Sequence, residues 1–345
     1  MFGNLLTDER SVKGYAAHVS SAGGPSRRVP PKPTATDQPL DDQLLAAAIA
    51  QRYYFDNMTR IQIAKEFGIS RFKVSRLLES ALSSGLVRIE IVLPASVDAD
   101  LSLRLKERFG LGRAVVTTPT DTSPQAVRDA LGHAAATLLS DIVTADDVLG
   151  VTSGRTIDAT ARHLTQLAGC EIIQLTGMSG NLDDNPVEVL RRVAVLSGGQ
   201  ARSIYAPLTV ATAEAARALK TDRRIAEAFG RFASVTIALA AIGSFDPPES
   251  RLLDALSDAD AARLAELDVI ADVAGALLDT AGRPVHELDD RIIGAGSAEL
   301  RRIPQVIVVG GGVRKARAIL AALRSGLVTT LVTDDTVARS LLTQR

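Results

Sequence analysis

The chain has 345 residues, 46% of them hydrophobic, and a formal net charge of −1. That length suits about two domains, one large enough for a full apolar core, and the composition excludes a chain disordered throughout. Aromatic residues are only 3% and Trp is absent, which argues against an aromatic-lined carbohydrate groove, while a near-neutral total leaves room for a local basic face.

Asp8 and Glu9 interrupt the N-terminus, so no signal peptide is expected, and the longest apolar run, 235–243, is about strand length rather than membrane length. Cys170, the only cysteine, sits beside Ile172 and Ile173 and reads as a buried, inert thiol in a reducing, cytoplasmic compartment. Residues 1–39 are rich in Ser, Gly and Pro and end near Pro30-Pro31-Lys32-Pro33, the composition of a flexible tail. Arg27 and Arg28 in it read as solvated charges, with DNA phosphates as the alternative partner.

Residues 40–94 predict three helices and a short hairpin. Thr59 and Gln62 are spaced as a capping box, Gly68 supplies a left-handed turn, and Ser70 caps the helix that follows. Ile63, Ala64 and Phe67 face inward from the first of these helices. Val74, Leu77, Leu78, Ala81 and Leu82 form one apolar face on the second. Ala64, Gly68 and Val74 together have helix-turn-helix spacing: a small residue for close crossing, a sharp turn, and a β-branched wedge. With Val74 inward, Arg71, Phe72, Lys73, Ser75 and Arg76 are the candidate DNA-binding residues, offering cations for phosphates or guanine and a ring for a thymine methyl. Arg88-Ile89-Glu90-Ile91 alternates like a wing strand. Residues 51–92 hold seven cations against four acids, so the head is basic inside a neutral chain.

Residues 95–345 open with an amphipathic helix through Leu101, Leu105 and Phe109. Apolar strands at 114–118, 148–151, 171–175, 203–205, 235–241, 269–273, 305–309 and 330–333 then alternate with helices. This pattern predicts an α/β, Rossmann-like domain with a mostly parallel sheet covered on both faces. Thr152, Ser153, Gly154, Arg155 and Thr156 lie between a strand and a helix. There, small residues, hydroxyls and a helix N-terminus suit an anion, although a plain turn has the same look. Gly310, Gly311 and Gly312 precede Lys315 at a second such junction. Asp334 follows at roughly dinucleotide-fold spacing, but Lys315 occupies the position where that fingerprint needs Gly or Ala. Gly311, Gly312 and Lys315 therefore read as phosphate-binding. Asp334 and Asp335 read as caps of the last helix. Asp272, expected at the C-terminal edge of the parallel sheet, is a candidate acceptor for sugar hydroxyls, with a strand-end cap as the alternative. His18, His133, His163 and His286 have no metal-ligand spacing, so neither metal nor cofactor is expected.

Beyond residue 40 the chain resembles the SorC family of sugar-responsive transcription regulators. The resemblance rests on the head together with LGVTSGRTI (149–157), IIQLTGM (172–178), NPVEVLRRVA (185–194), YAPL (205–208), AIGSFD (241–246) and the stretch VGGGVRKARAIL that opens 309–342. It implies an effector domain similar to sugar-phosphate isomerases and CoA-transferases, a phosphorylated sugar or polyol as ligand, and a homo-oligomer, dimer or tetramer, on double-stranded operator DNA. One departure stands out: Val269-Ile270-Ala271-Asp272 lacks the glycines the family usually carries before this acid. The expected function is a ligand-controlled, non-enzymatic regulator with no membrane partner. The alternative is an isomerase-like enzyme with an accessory DNA-binding head, for which Asp272 is the only candidate base.

Overall fold

The computed structural model describes residues 39–89, 97–179 and 186–344. The N-terminal tail up to residue 38, Glu90 and Ile91 of the expected wing, and Asn185 lie outside them. The chain divides into two compact units, Met1–Val92 and Leu93–Arg345.

In the first unit, helices Leu40–Tyr54, Arg60–Glu66 and Arg71–Ser83 close around Ile49, Ala50, Ile63, Val74 and Leu78. The start of the middle helix is fixed reciprocally. Gln62 N–H donates to Thr59 Oγ1 (3.4 Å), and Thr59 N–H donates to Gln62 Oε1 (2.8 Å). Gly68 has φ +63°, a left-handed conformation costly for a side chain, and Ser70 Oγ accepts from Lys73 N–H at 3.2 Å. Arg88 and Ile89 are irregular rather than strand.

Among the described residues, the second unit holds eleven strands. In chain order they are β1 Arg113–Thr117, β2 Val148–Val151, β3 Glu171–Gln174, β4 Ala201–Arg202, β5 Ile237–Phe245, β6 Pro248–Glu249, β7 Val269–Val273, β8 Ala276–Asp279, β9 Pro284–Val285, β10 Gln305–Val309 and β11 Thr330–Asp334. Seven lie side by side in the order β1-β11-β10-β5-β2-β3-β4, every pairing parallel. Side-chain alternation splits the core between the two faces. Ile237, Leu239, Ile307 and Val309 join one cluster with helices Pro124–Ile142, Arg155–His163 and Pro186–Ser197. Ala238, Ala240, Val306 and Val308 join the other with helices Ala99–Phe109, Ala316–Arg324 and Asp335–Thr343. Apolar residues at every position of the central strands are what burial on both sides requires.

Two expectations need correcting. The strand predicted at 203–205 is Ala201–Arg202, because the chain leaves the sheet edge before the apolar residues Ile204 and Ala206, which turn into the core. In addition, β7 is not part of the parallel sheet. The second half of β5 runs past the sheet and pairs antiparallel with β6 and β7, then β7 with β8 and β8 with β9. Ala274 (φ +52°) and Gly275 (φ +92°) make the tight turn of the β7–β8 hairpin, the left-handed pair such turns demand. Asp272 therefore sits in an antiparallel arm, opposite Gly243, rather than at the edge of the parallel sheet.

Candidate functional site

β2 and β10 flank β5, and the helices that follow them lie on opposite faces of the sheet. A crevice opens at the carboxyl ends of strands wherever successive connections diverge in this way. The crevice here is a cavity of about 80 Å3. Thr152, Ser153, Gly154, Arg155 and Thr156 line it from beyond β2, and Ala241, Ile242 and Gly243 from β5. Glu249, Arg251, Leu252 and Asp254 contribute from the segment after β5, Asp272 and Gly275 from the arm, and Lys315 from beyond β10.

Each contributor is held by hydrogen bonds or by its backbone geometry. Thr152 is buried; its N–H donates to Leu239 O (3.0 Å) and its Oγ1 accepts from Ala241 N–H (3.3 Å), which ties the loop to β5. Gly154 adopts φ +136° and ψ 159°, a glycine-only region, and helix Arg155–His163 starts there without any side-chain cap. The first-turn N–H groups of that helix are thus left to whatever enters the cleft. Lys315 extends its Nζ under the arm and donates to Ile242 O at 2.9 Å. Asp272 Oδ1 accepts from Ser250 Oγ at 2.6 Å, while the same hydroxyl oxygen accepts from Leu252 and Leu253 N–H. Gly243 makes this possible: a Cβ there would overlap Asp272 Oδ1 and stand 2.7 Å from Ser250 Oγ.

The electrostatics favour an anion. Glu249 is paired with Arg314 (2.8 Å) and Asp254 with Arg251 (3.5 Å). Among the described residues, no carboxylate lies within ion-pair distance of Arg155 or Lys315. Burial pulls the Lys315 ammonium below the usual lysine range; Arg155 and Arg128 act in the same direction, against Glu249 and Asp272. Burial raises the Asp272 carboxyl above the usual carboxylate range, opposed by the Ser250 hydrogen bond and by Lys315. An anion between these groups would relieve the repulsion among the cations.

Of the residues expected at this site, Thr152, Ser153, Gly154, Arg155, Thr156, Asp272 and Lys315 share the cleft, whereas Gly311 and Gly312 are not part of its lining. Gly312 N–H donates to Asp334 Oδ2 at 2.6 Å, and Gly311 is hemmed in by Asp334, Leu131 and Val127. Asp334 Oδ1 also accepts from Thr336 N–H (3.0 Å) and Val337 N–H (3.2 Å), capping the last helix as its position suggested. With its backbone donor engaged, this junction does not cradle a pyrophosphate as a dinucleotide fold does. Glu249, Arg251 and Gly243 were not singled out from sequence, although AIGSFD already contained Gly243.

In the first unit, Arg71, Phe72, Lys73 and Arg76 are exposed on helix Arg71–Ser83 and Ser75 is half-buried. The Arg71 guanidinium lies 5.0 Å from the Phe72 ring centroid. Burial pushes the Cys170 thiol up to about 11, consistent with an inert core cysteine. Among the described residues, no group of His, Cys, Asp and Glu is placed to hold a metal ion, and no helix is long and apolar enough to cross a membrane.

Comparison with known proteins joins the two units. Residues 94–343 match the Sugar-bind family, a sugar-binding domain. The chain is 31% identical over 308 residues to the transcriptional regulator LsrR of Enterobacter sp. (strain 638), covering 88% of this chain and 94% of that protein. The full-length sorbitol operon regulator SorC of Klebsiella pneumoniae has the same fold, with a TM-score of 0.66 at 24% identity over 88% of this chain and 99% of that one. A DeoR family transcriptional regulator from Listeria monocytogenes aligns with a TM-score of 0.62 at 26% identity, covering 70% of this chain and 98% of that one. The chain belongs to the family of transcription regulators with a Sugar-bind domain that includes LsrR.

Proposed function

We propose that the protein is a DNA-binding regulator whose grip on its operator is set by a phosphorylated sugar or polyol in the cleft. The observation that carries this reading is the meeting of an uncapped helix N-terminus with Arg155 and Lys315, neither of them, among the described residues, in an ion pair with a carboxylate. Phosphate oxygens suit both the N–H groups and the cations. Asp272, which lines the same cleft, is placed to accept from a ligand hydroxyl.

The head would read DNA through Arg71, Phe72, Lys73, Ser75 and Arg76, in a cytoplasmic homo-oligomer, dimer or tetramer, whose paired heads match operator half-sites. The effector would bind two quaternary states with different affinity and so alter operator fit. We infer that the cleft binds rather than turns over its ligand, because Asp272 is engaged by Ser250 and, among the described residues, no histidine stands in the lining.

The test is a titration of full-length protein on its operator with a panel of sugar and polyol phosphates beside their unphosphorylated parents. A shift in operator affinity confined to phosphorylated compounds is expected. An equal response to the parents, or none to the panel, overturns the reading. Arg76→Ala should weaken operator binding by about 1–3 kcal/mol if it reads a base, and unchanged affinity in a gel-shift titration would remove it from the interface.

A further inference from the structure

Helix Leu40–Tyr54 opens the first unit and has 15 residues, roughly 22 Å of length. Ala46, Ile49 and Ala50 are buried on one side of it, and that side packs on helix Arg71–Ser83 in the common core. At about 100° of rotation per residue, Leu40, Leu44, Ala47, Ala48, Gln51 and Phe55 share an arc of about 100° on the opposite side. Phe55 belongs with them because it caps the helix in helical dihedral angles, φ −102° and ψ −39°. Leu40 is 70% exposed, Leu44 59% and Phe55 82%, and the two alanines between them are half-buried. A surface helix of a small domain normally turns polar residues away from its core; this one carries a second apolar stripe.

The spacing of that stripe is symmetric. Turned end for end about a point between Ala47 and Ala48, it falls on itself: Leu40 takes the place of Phe55, Leu44 that of Gln51, and Ala47 that of Ala48. A two-fold interface between identical chains requires this, because one patch serves both copies. The small residues stand at the centre, where two helices come closest, and the large ones at the ends. Charge agrees with shape. Asp41 in the first turn and Arg52 in the last edge the same side of the stripe, so the turn brings Asp41 of each copy near Arg52 of the other. Antiparallel alignment also sets each helix N-terminus beside a C-terminus.

We propose that this stripe is the surface through which a second copy of the chain docks, helix against antiparallel helix, with the two-fold axis between Ala47 and Ala48. It rests on the homo-oligomer argued above and names the contact that joins its heads. Because the same helix packs on Arg71–Ser83, pairing here would fix the spacing of the two reading helices. So short a stripe covers much less than the roughly 800 Å2 per partner of a stable interface. The heads pair only where the rest of the assembly already brings them together.

Oxidation of full-length cysteine variants with copper phenanthroline, followed on non-reducing gels, tests the register. Ala48→Cys should run mostly as a disulfide-linked dimer, and so should the double variant Leu44→Cys with Gln51→Cys, since the axis brings those Cα atoms within about 7 Å. Leu44→Cys alone should not, because its two copies stand about 10 Å apart along the paired helices. Wild type, whose Cys170 is buried, should remain a single chain on the gel. Adding Leu44→Lys to Ala48→Cys should slow cross-linking by about tenfold, as a charge is pressed into the contact, at an unchanged unfolding midpoint.

No cross-link from either Ala48→Cys or the double variant, or equal cross-linking of Leu44→Cys alone, overturns the docking surface. Sedimentation of the same samples separates the two readings: an oligomer without the cross-link overturns this contact alone, and a monomer overturns the homo-oligomer with it. A thiol at position 48 that is shielded from reagent yet forms no cross-link would show the stripe covered from within its own chain, which also overturns the proposal.

Discussion

Two strand-to-helix junctions in the second unit look alike on paper. Each follows an apolar strand, each carries small residues, and each leads into a helix: 151–156 beyond β2 and 309–316 beyond β10. They are used differently. The first leaves its helix N-terminus uncapped and open to the cleft. The second has Gly312 N–H engaged by Asp334, has Gly311 wedged against Leu131 and Val127, and sends only Lys315 forward. The difference lies in a third element. An acid at the end of β11 satisfies one junction's donor from inside the protein, and no side chain does this for the other. A glycine-rich turn becomes a ligand site only if its donors remain unclaimed.

The largest test of this contrast is Asp334→Ala. The carboxylate is fully buried, caps the last helix and holds Gly312, so its loss should lower the unfolding free energy by about 3 kcal/mol, read in urea. A loss well under 1 kcal/mol would show that the second junction is not held structurally.

Lys315→Ala should do the reverse. Effector affinity should drop by about 2 kcal/mol, roughly thirtyfold, while operator affinity without ligand and the urea midpoint stay near wild type. Burial already disfavours this ammonium, so its removal is not expected to destabilise the fold. An unaltered response to the effector would take Lys315 out of the site.

The smallest effect is the most diagnostic. Burial raises the Asp272 carboxyl, so the folded protein favours its protonated form. The stability this contributes is fully present below the ordinary carboxylate range and is lost as pH rises through the raised value. Asp272→Asn, which cannot ionise, should therefore be modestly more stable than wild type at neutral to alkaline pH, with the gap closing in acid. Thermal unfolding across pH checks this, and a variant less stable than wild type at neutral pH, with the gap closing in acid, would mean that the ionised carboxylate supports the fold.

The head was the most legible part, because its determinants are local. Thr59 with Gln62, Gly68, Ser70 and the face through Val74 and Leu78 act within one or two turns, and the structure places each where the spacing put it. The strands of the sheet were readable for a related reason: burial on both faces leaves uninterrupted apolar runs. The arm was not. The strand read at 235–241 runs on to Phe245: its first half belongs to the parallel sheet and its second half, from Ile242, to an antiparallel hairpin system, a continuation that nothing in Ile242-Gly243-Ser244 announces.

The amino-acid order by itself determined where the helices begin, which faces are apolar, which residues of the head point outward, and that small residues and a lysine stand at two strand ends. Those properties follow from hydrogen bonds and side-chain periodicity over a few residues. Tertiary structure decided that both strand ends open on one crevice, that Asp272 arrives there on an antiparallel arm, and that Asp334 closes one glycine loop from 22 residues away. The physical reason is that a buried donor must find an acceptor. Which acceptor is near depends on how distant strands are ordered in the sheet, and no short stretch of chain encodes that order.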